Sequence, residues 1–164
     1  MTPLWETLVR ENTPMVFRVA WRILRNTHDA EDVGQDVFLE LHRILDSRRV
    51  TNCPGLLRRL TVLRALDRLR RRRATAPLQE SVHATAEPSP EKEMLRAEEA
   101  ERVRQALARL PRQMAAVFCL RYFEDLSNLQ IAEALGTSPS AVSTALHKAR
   151  TRLETMLGDL EQGS

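Results

Sequence analysis

The sequence predicts an all-α protein of two small helical domains joined by a flexible linker, with a helix-turn-helix in the second. Three observations carry this. Apolar residues recur at helical spacing along most of the 164 residues, with no sustained period-two alternation. Five glycines leave little room for tightly turned sheet. Ala74 to Pro90 contains Pro77, Pro88 and Pro90 among small and polar residues and has no apolar period. Prolines at that density stop helices. The domains are therefore set at 1–74 and 94–164, with an acidic linker at 75–93.

The first helix is predicted from about Pro14 to Arg25, with Phe17, Val19, Ala20, Trp21, Ile23 and Leu24 as core. Thr27-His28-Asp29 breaks it, and Asp29 is expected to cap the second helix. That helix places Val33, Val37, Phe38, Leu41 and Leu45 inward, and Glu31, Asp32, Gln35, Asp36 and Glu40 on its polar side. Gly34 inside it costs about 1 kcal/mol against Ala, which points to close helix packing. A polar loop, Asp46 to Pro54, leads to a third helix from about Gly55 to Arg73. Leu56, Leu60, Leu63 and Leu66 are spaced for the core. Arg64, Arg68, Arg71 and Arg72 fall within about a quarter turn of one another and form a basic ridge. Within the closing run Arg70 to Arg73 only Arg71 has an acid at i,i+4, Asp67, so its like charges favour an anionic partner.

The second domain opens with a helix of about Met94 to Leu110. Pro111 starts the next, with Met114, Val117, Phe118 and Tyr122 inward. Leu126 to Arg152 then reads as a helix-turn-helix. Ser127 with Gln130 three residues on makes a capping box. Ile131 and Leu135 supply a short apolar stripe, and Gly136 suits a left-handed helix end. Ser138 caps again, and Pro139 follows at the first helical position, where its missing N–H costs nothing. Val142, Leu146, Leu153 and Leu157 form the buried stripe of the last helix. Ser140, Ser143, Thr144, His147, Lys148 and Thr151 point outward. Two short helices joined by such a turn seat a recognition helix in the DNA major groove.

Charge is distributed unevenly behind an overall +3. Residues 1–76 carry 15 Arg against nine acids, a net of +6. Residues 77–101 carry two basic residues and seven Glu, a net of −5. A basic block fits a polyanionic partner. Cys53 and Cys119 are the only cysteines and the four histidines are scattered, which argues against a metal site and for a reduced, cytoplasmic setting. No run approaches the roughly 18 apolar residues of a membrane span, so no membrane insertion is expected. No phosphate-binding glycine loop and no nucleophile–base arrangement is present, so neither an enzyme nor a cofactor is expected.

The order of these pieces resembles an extracytoplasmic-function (ECF) sigma factor of the sigma-70 family over nearly the whole chain. Trp21 to Leu41 is similar to the helix pair that binds the clamp of core RNA polymerase. Leu56 to Arg73 is similar to the helix that engages the minus-ten promoter element. Leu107 to Ser127 resembles the entry to the C-terminal domain, and the helix-turn-helix resembles the reader of the minus-thirty-five element. The resemblance implies a promoter-specificity subunit that binds core RNA polymerase and promoter DNA, assists melting, and is held by an anti-sigma factor. It assigns Glu31, Asp32, Gln35 and Asp36 to the polymerase, and Arg64, Asp67, Arg68, Arg71 and Arg72 to the minus-ten DNA. It assigns Ser138, Ser140, Ser143, Thr144, His147 and Lys148 to the minus-thirty-five DNA. The loop Asp46 to Pro54 would stand where the family captures a flipped base.

Four local features distinguish this chain from that pattern, one being Arg64, where many members of the family have Asn. Leu56-Leu57 stands where the family usually has Trp-Leu, and no aromatic residue occurs between Phe38 and Phe118. The outward face of the recognition helix is mostly hydroxylic, with charge only at Lys148, Arg150 and Arg152, so modest minus-thirty-five affinity is expected. The alternative reading is a stand-alone helix-turn-helix regulator, which would bind two-fold half-sites tightly without polymerase.

Overall fold

A computed structural model of the protein describes residues 3–75 and 90–162. These residues form seven helices and no strand: α1 Pro3–Leu24, α2 Thr27–Ser47, α3 Cys53–Thr75, α4 Pro90–Arg109, α5 Arg112–Tyr122, α6 Asn128–Leu135 and α7 Pro139–Gln162. The all-α expectation holds. Most of the span read as a linker lies outside the described residues, and α4 already begins at Pro90.

The first helix starts eleven residues earlier than the sequence signals suggest, and Pro14 lies inside it. Proline removes a backbone donor there. Tertiary packing offsets that loss: Trp5 and Leu8, from the turns before Pro14, pack against the core. The Trp5 ring meets Phe38 of α2 edge-on, centroids 6.5 Å apart, and His42 at 4.9 Å. Asn26, not Asp29, caps α2, its side-chain oxygen accepting the Asp29 N–H at 2.8 Å. Asp29 is left free to work from the first turn. Gly34 has Val16 Cγ1 3.8 Å from where a Cβ would stand, an ordinary contact, so close packing does not require the glycine. Gly55 is different. Asn52 Oδ1 accepts its N–H at 3.0 Å to cap α3, and a Cβ there would stand 2.5 Å from the Asn52 amide nitrogen.

The helix-turn-helix forms as its sequence predicts. Ser127 and Gln130 exchange both bonds of the capping box, at 3.1 and 2.9 Å. Gly136 is left-handed at φ 68°, and Ser138 Oγ accepts the Ala141 N–H at 3.1 Å. Val142, Leu146 and Leu153 are buried, with Ala149 alongside them, and Leu157 is half-buried. Ser127→Ala is expected to cost about 1 kcal/mol, because it orphans the Gln130 N–H, while the bond from the residue 127 backbone N–H to the Gln130 side chain can persist. Chemical denaturation of the full chain measures it.

The centre of the molecule is α3. It packs on α1 and α2 of its own domain and, on its other side, on α4, α5 and α6. Leu56, Leu60, Leu63 and Leu66 are buried as expected, and so are Leu57, Thr61, Val62, Ala65 and Leu69. Apolar residues thus surround the helix, and the seam read from the sequence is only one of its buried sides. Tyr122, expected inward, is 44% exposed. Its ring lies 4.7 Å from that of Phe118 and 5.5 Å from the Arg150 guanidinium.

Candidate nucleic-acid interface

Three groups of side chains follow from this frame. The first is the outward face of α7. Ser138, Ser140, Ser143, Thr144, His147 and Lys148 are all exposed, as the sequence predicts. Thr144 Oγ1 donates to the Ser140 carbonyl at 3.1 Å, and Thr151 Oγ1 donates to the His147 carbonyl at 3.0 Å. These hydroxyls still have lone pairs to offer a base edge or a bound water.

The second is the basic ridge of α3. In sequence Asp67 is the one acid among these arginines. In the fold they acquire acidic partners from α2. Arg64 pairs with Glu40 at 2.7 Å, and Arg68 with both Asp29 at 2.8 Å and Asp32 at 3.1 Å. Arg72 donates to the Leu24 carbonyl at 2.8 Å and lies 3.6 Å from Asp29. The hydrogen bond from Arg64 to Glu40 is the largest influence raising that guanidinium's pKa. Burial opposes the charge of Arg68 most strongly, but Asp29 and Asp32 outweigh it and its pKa rises. Sequence reasoning misses these pairs because it compares neighbours on one helix; the carboxylates arrive from 24 to 43 residues away. Asp67, the remaining charged residue of the set, faces Arg112 of α5 in a bidentate pair, both bonds 3.0 Å.

The third is the acidic side of α2. Glu31, Gln35 and Asp36 are exposed, whereas Asp32 is half-buried and shared with Arg68. One end of this helix therefore faces outward while the acids on its inner flank bind the basic ridge. Beyond α2, a cavity of about 370 Å³ is lined by Arg48, Arg59, Arg64 and Arg112, by the acids Glu40 and Asp67, and by Ile44, Leu56, Leu60 and Leu63. It adjoins the Asp46 to Pro54 loop, of which only residues 48–52 are non-helical.

Comparison with known proteins gives the family. The Sigma-70 region 2 family matches residues 8–75, and Sigma-70 region 4 matches residues 100–153. The ECF RNA polymerase sigma factor SigM of Mycobacterium tuberculosis is 33% identical over 97% of this chain and 80% of its own length. The chain belongs to the ECF sigma factors. As a member it serves promoter-directed transcription initiation with RNA polymerase. SigW of Bacillus subtilis is 26% identical over 88% of this chain and 84% of its own. SigE of Mycolicibacterium smegmatis is 32% identical over 94% of this chain, which spans 62% of that relative's length. Sigma factors are non-catalytic initiation factors. No described helix of this one is long and apolar enough to cross a membrane.

In this ECF sigma factor the helix assigned to the minus-ten element is almost enclosed. From Cys53 to Arg72 only Pro54 and Arg71 are exposed. What encloses it is partly a group that sequence reasoning missed. Glu124, in the turn after α5, has a side chain only 2% exposed. It lies 3.1 Å from Arg22, 3.6 Å from Arg58 and 3.8 Å from Arg18, all in the first domain. Nothing in the sequence separates Glu124 from any other loop acid, because its partners are 66 to 106 residues away. Cys119, one turn before it, is fully buried, and burial first and the Glu124 charge second push its thiol far above the usual range. Such a thiol is a packing residue rather than a reactive one.

Proposed function

We propose that this chain binds core RNA polymerase through the outer side of α2 and reads two promoter elements, minus-ten through α3 and minus-thirty-five through α7. The observation that carries this reading is the recognition helix, whose six assigned residues are all exposed on a helix locked by caps at its start and at the turn before it. Glu31, Gln35 and Asp36 stand outward for a basic partner surface, giving orientation and on-rate more than raw affinity. Asp32 contributes by holding Arg68. Arg64 and Arg68 use part of their donors on carboxylates and keep the rest for phosphates, since a guanidinium carries five N–H groups. Their pairing with α2 fixes the ridge before DNA arrives. Arg71, exposed at the helix end, is the most accessible of the set.

The cavity beside the Asp46 to Pro54 loop suits an extruded base of the non-template strand. Its leucines offer a base apolar contact, and the arginines that line it, beside Glu40 and Asp67, offer donors to the flanking phosphates. Unstacking a base costs a few kcal/mol, which those contacts must offset. An anti-sigma factor is the expected inhibitory partner, and the cytoplasm the expected compartment.

Run-off transcription with purified core polymerase over a promoter library tests the assignment. Template-specific transcripts that require the chain support it; tight operator binding in two-fold half-sites without polymerase favours a stand-alone regulator. Lys148→Ala is expected to weaken DNA binding about equally across sequences and to flatten the salt slope by about one unit, the mark of a phosphate contact. Fluorescence anisotropy at several salt concentrations measures it, and a base-specific loss would give Lys148 a different role.

A further inference from the structure

We propose that Thr144 makes the recognition helix selective for an A·T pair, its oxygen accepting from the adenine amine and its methyl packing on the thymine methyl. The proposal rests on the reading of α7 as the minus-thirty-five helix.

Thr144 lies in the second turn of α7, near the end of a recognition helix that meets base edges. At about 100° per residue it shares one face with Ser140, His147 and Lys148, and all of these are exposed. A hydroxyl has one hydrogen to donate and two lone pairs to accept with. Thr144 donates that hydrogen to the Ser140 carbonyl at 3.1 Å. Toward the groove it is therefore an acceptor only. The methyl on the same carbon is staggered from the oxygen and stands away from that carbonyl. Threonine is stiff at χ1, and the bond to Ser140 stiffens it further. The pairing of one acceptor with one methyl is thus set before DNA arrives.

Base edges in the major groove sort against such a group. Guanine N7 and O6, adenine N7 and thymine O4 are all acceptors, and each would set lone pairs against lone pairs. Two donors remain, the N6 amine of adenine and the N4 amine of cytosine. Only the A·T pair adds a methyl to its amine, on C5 of thymine. To donate to guanine, Thr144 must first give up its bond to Ser140.

The surrounding residues leave this choice to Thr144. The commonest reader of guanine is an arginine that makes two bonds to one base. The residues assigned to the minus-thirty-five element include no arginine. Arg150, on the flank of the face, has its guanidinium 5.5 Å from the Tyr122 ring. Lys148 is a point charge suited to phosphate. Ser140 and His147 carry both donor and acceptor capacity and suit several bases.

Competition binding by the full chain on core polymerase tests the assignment, with minus-thirty-five bases altered one at a time. Deoxyuridine in place of thymine removes only the methyl. The unsubstituted purine base in place of adenine removes only the amine. Comparing variants on the same templates cancels any effect on the duplex itself. The wild type is expected to lose about fourfold in affinity when one particular thymine loses its methyl, the value of one buried methyl-sized group. Thr144→Ser keeps the hydroxyl and loses the methyl; it is expected to become indifferent to deoxyuridine at that position and still to sense the missing amine. Thr144→Val keeps a methyl and loses the oxygen, and is expected to show the reverse. Both changes lie on an exposed surface, and circular dichroism checks that each variant keeps its helices. Equal sensitivity of the wild type and Thr144→Ser to deoxyuridine at every position overturns the proposal and leaves α7 as the minus-thirty-five helix. Binding indifferent to every minus-thirty-five base removes the reading of α7 and the proposal with it.

Discussion

Leu66→Ala is expected to lower the stability of the protein by about 3 kcal/mol, within the usual span for emptying a fully buried leucine site. Leu66 has no exposed surface. It sits on the one helix that packs against five of the other six, so no single neighbour can move in to fill the space without disturbing another. The loss combines the transfer free energy of the missing methyl groups with a cavity that the surrounding helices cannot close. Urea unfolding followed by circular dichroism measures it as a fall in the midpoint. A loss under about 1 kcal/mol would show that α3 is less tightly enclosed than its burial implies. Leu66→Met, which conserves volume, is expected to stay within about 1.5 kcal/mol and separates packing from any effect on DNA.

Asp29→Ala is expected to cost about 2 kcal/mol and to weaken promoter binding as well. Asp29 is the common acceptor for Arg68 and Arg72 and is itself 15% exposed. Removing it takes one of two carboxylates from Arg68, which keeps Asp32, and the nearby charge from Arg72, which keeps the Leu24 carbonyl, in a partly desolvated site where losing one partner of a pair costs more than the pair itself stabilises. It also removes a negative charge from the first turn of α2, where the helix dipole favours one. Asn26 still caps the helix, so α2 itself survives. The functional consequence follows from geometry. Without Asp29 the ridge is no longer held in one arrangement, and DNA must order it on binding. Anisotropy with a minus-ten fragment should show weaker binding even though the net positive charge of the protein has risen by one. Tighter binding would mean that charge alone governs the ridge.

Both expectations concern residues whose importance only partly shows in the sequence. The spacing of Leu56, Leu60, Leu63 and Leu66 is enough to place Leu66 in a core. It does not show that Leu57, Val62, Ala65 and Leu69 are buried on other sides of the same helix. A single helix reports only its own periodicity, and a helix enclosed on all sides has little periodicity to report. Asp29 presents the opposite case. Its position after a helix break reads as a cap, but Asn26 takes that role because its side chain reaches the Asp29 N–H, and the freed carboxylate serves the arginines of α3. Pro14 was similarly misleading as a start signal. The local cost of a proline inside a helix is real, yet the burial of Trp5 and Leu8 outweighs it.

The candidate site divides along the same line. Every residue assigned to the recognition helix is found outward, because the capping box, the left-handed Gly136 and Ser138 are local devices that act within a few residues of the chain. Local chemistry of that kind is written directly in the order of the residues. By itself, then, the sequence determined the all-helical class, the helix-turn-helix and its exposed face, and the family. Only the tertiary structure decided which acids hold the arginine ridge, that α3 is covered on both sides, and that Glu124 sits among three arginines of the other domain. Those are pairings across tens of residues, and nothing local distinguishes a charge that will find a distant partner from one that will remain in water.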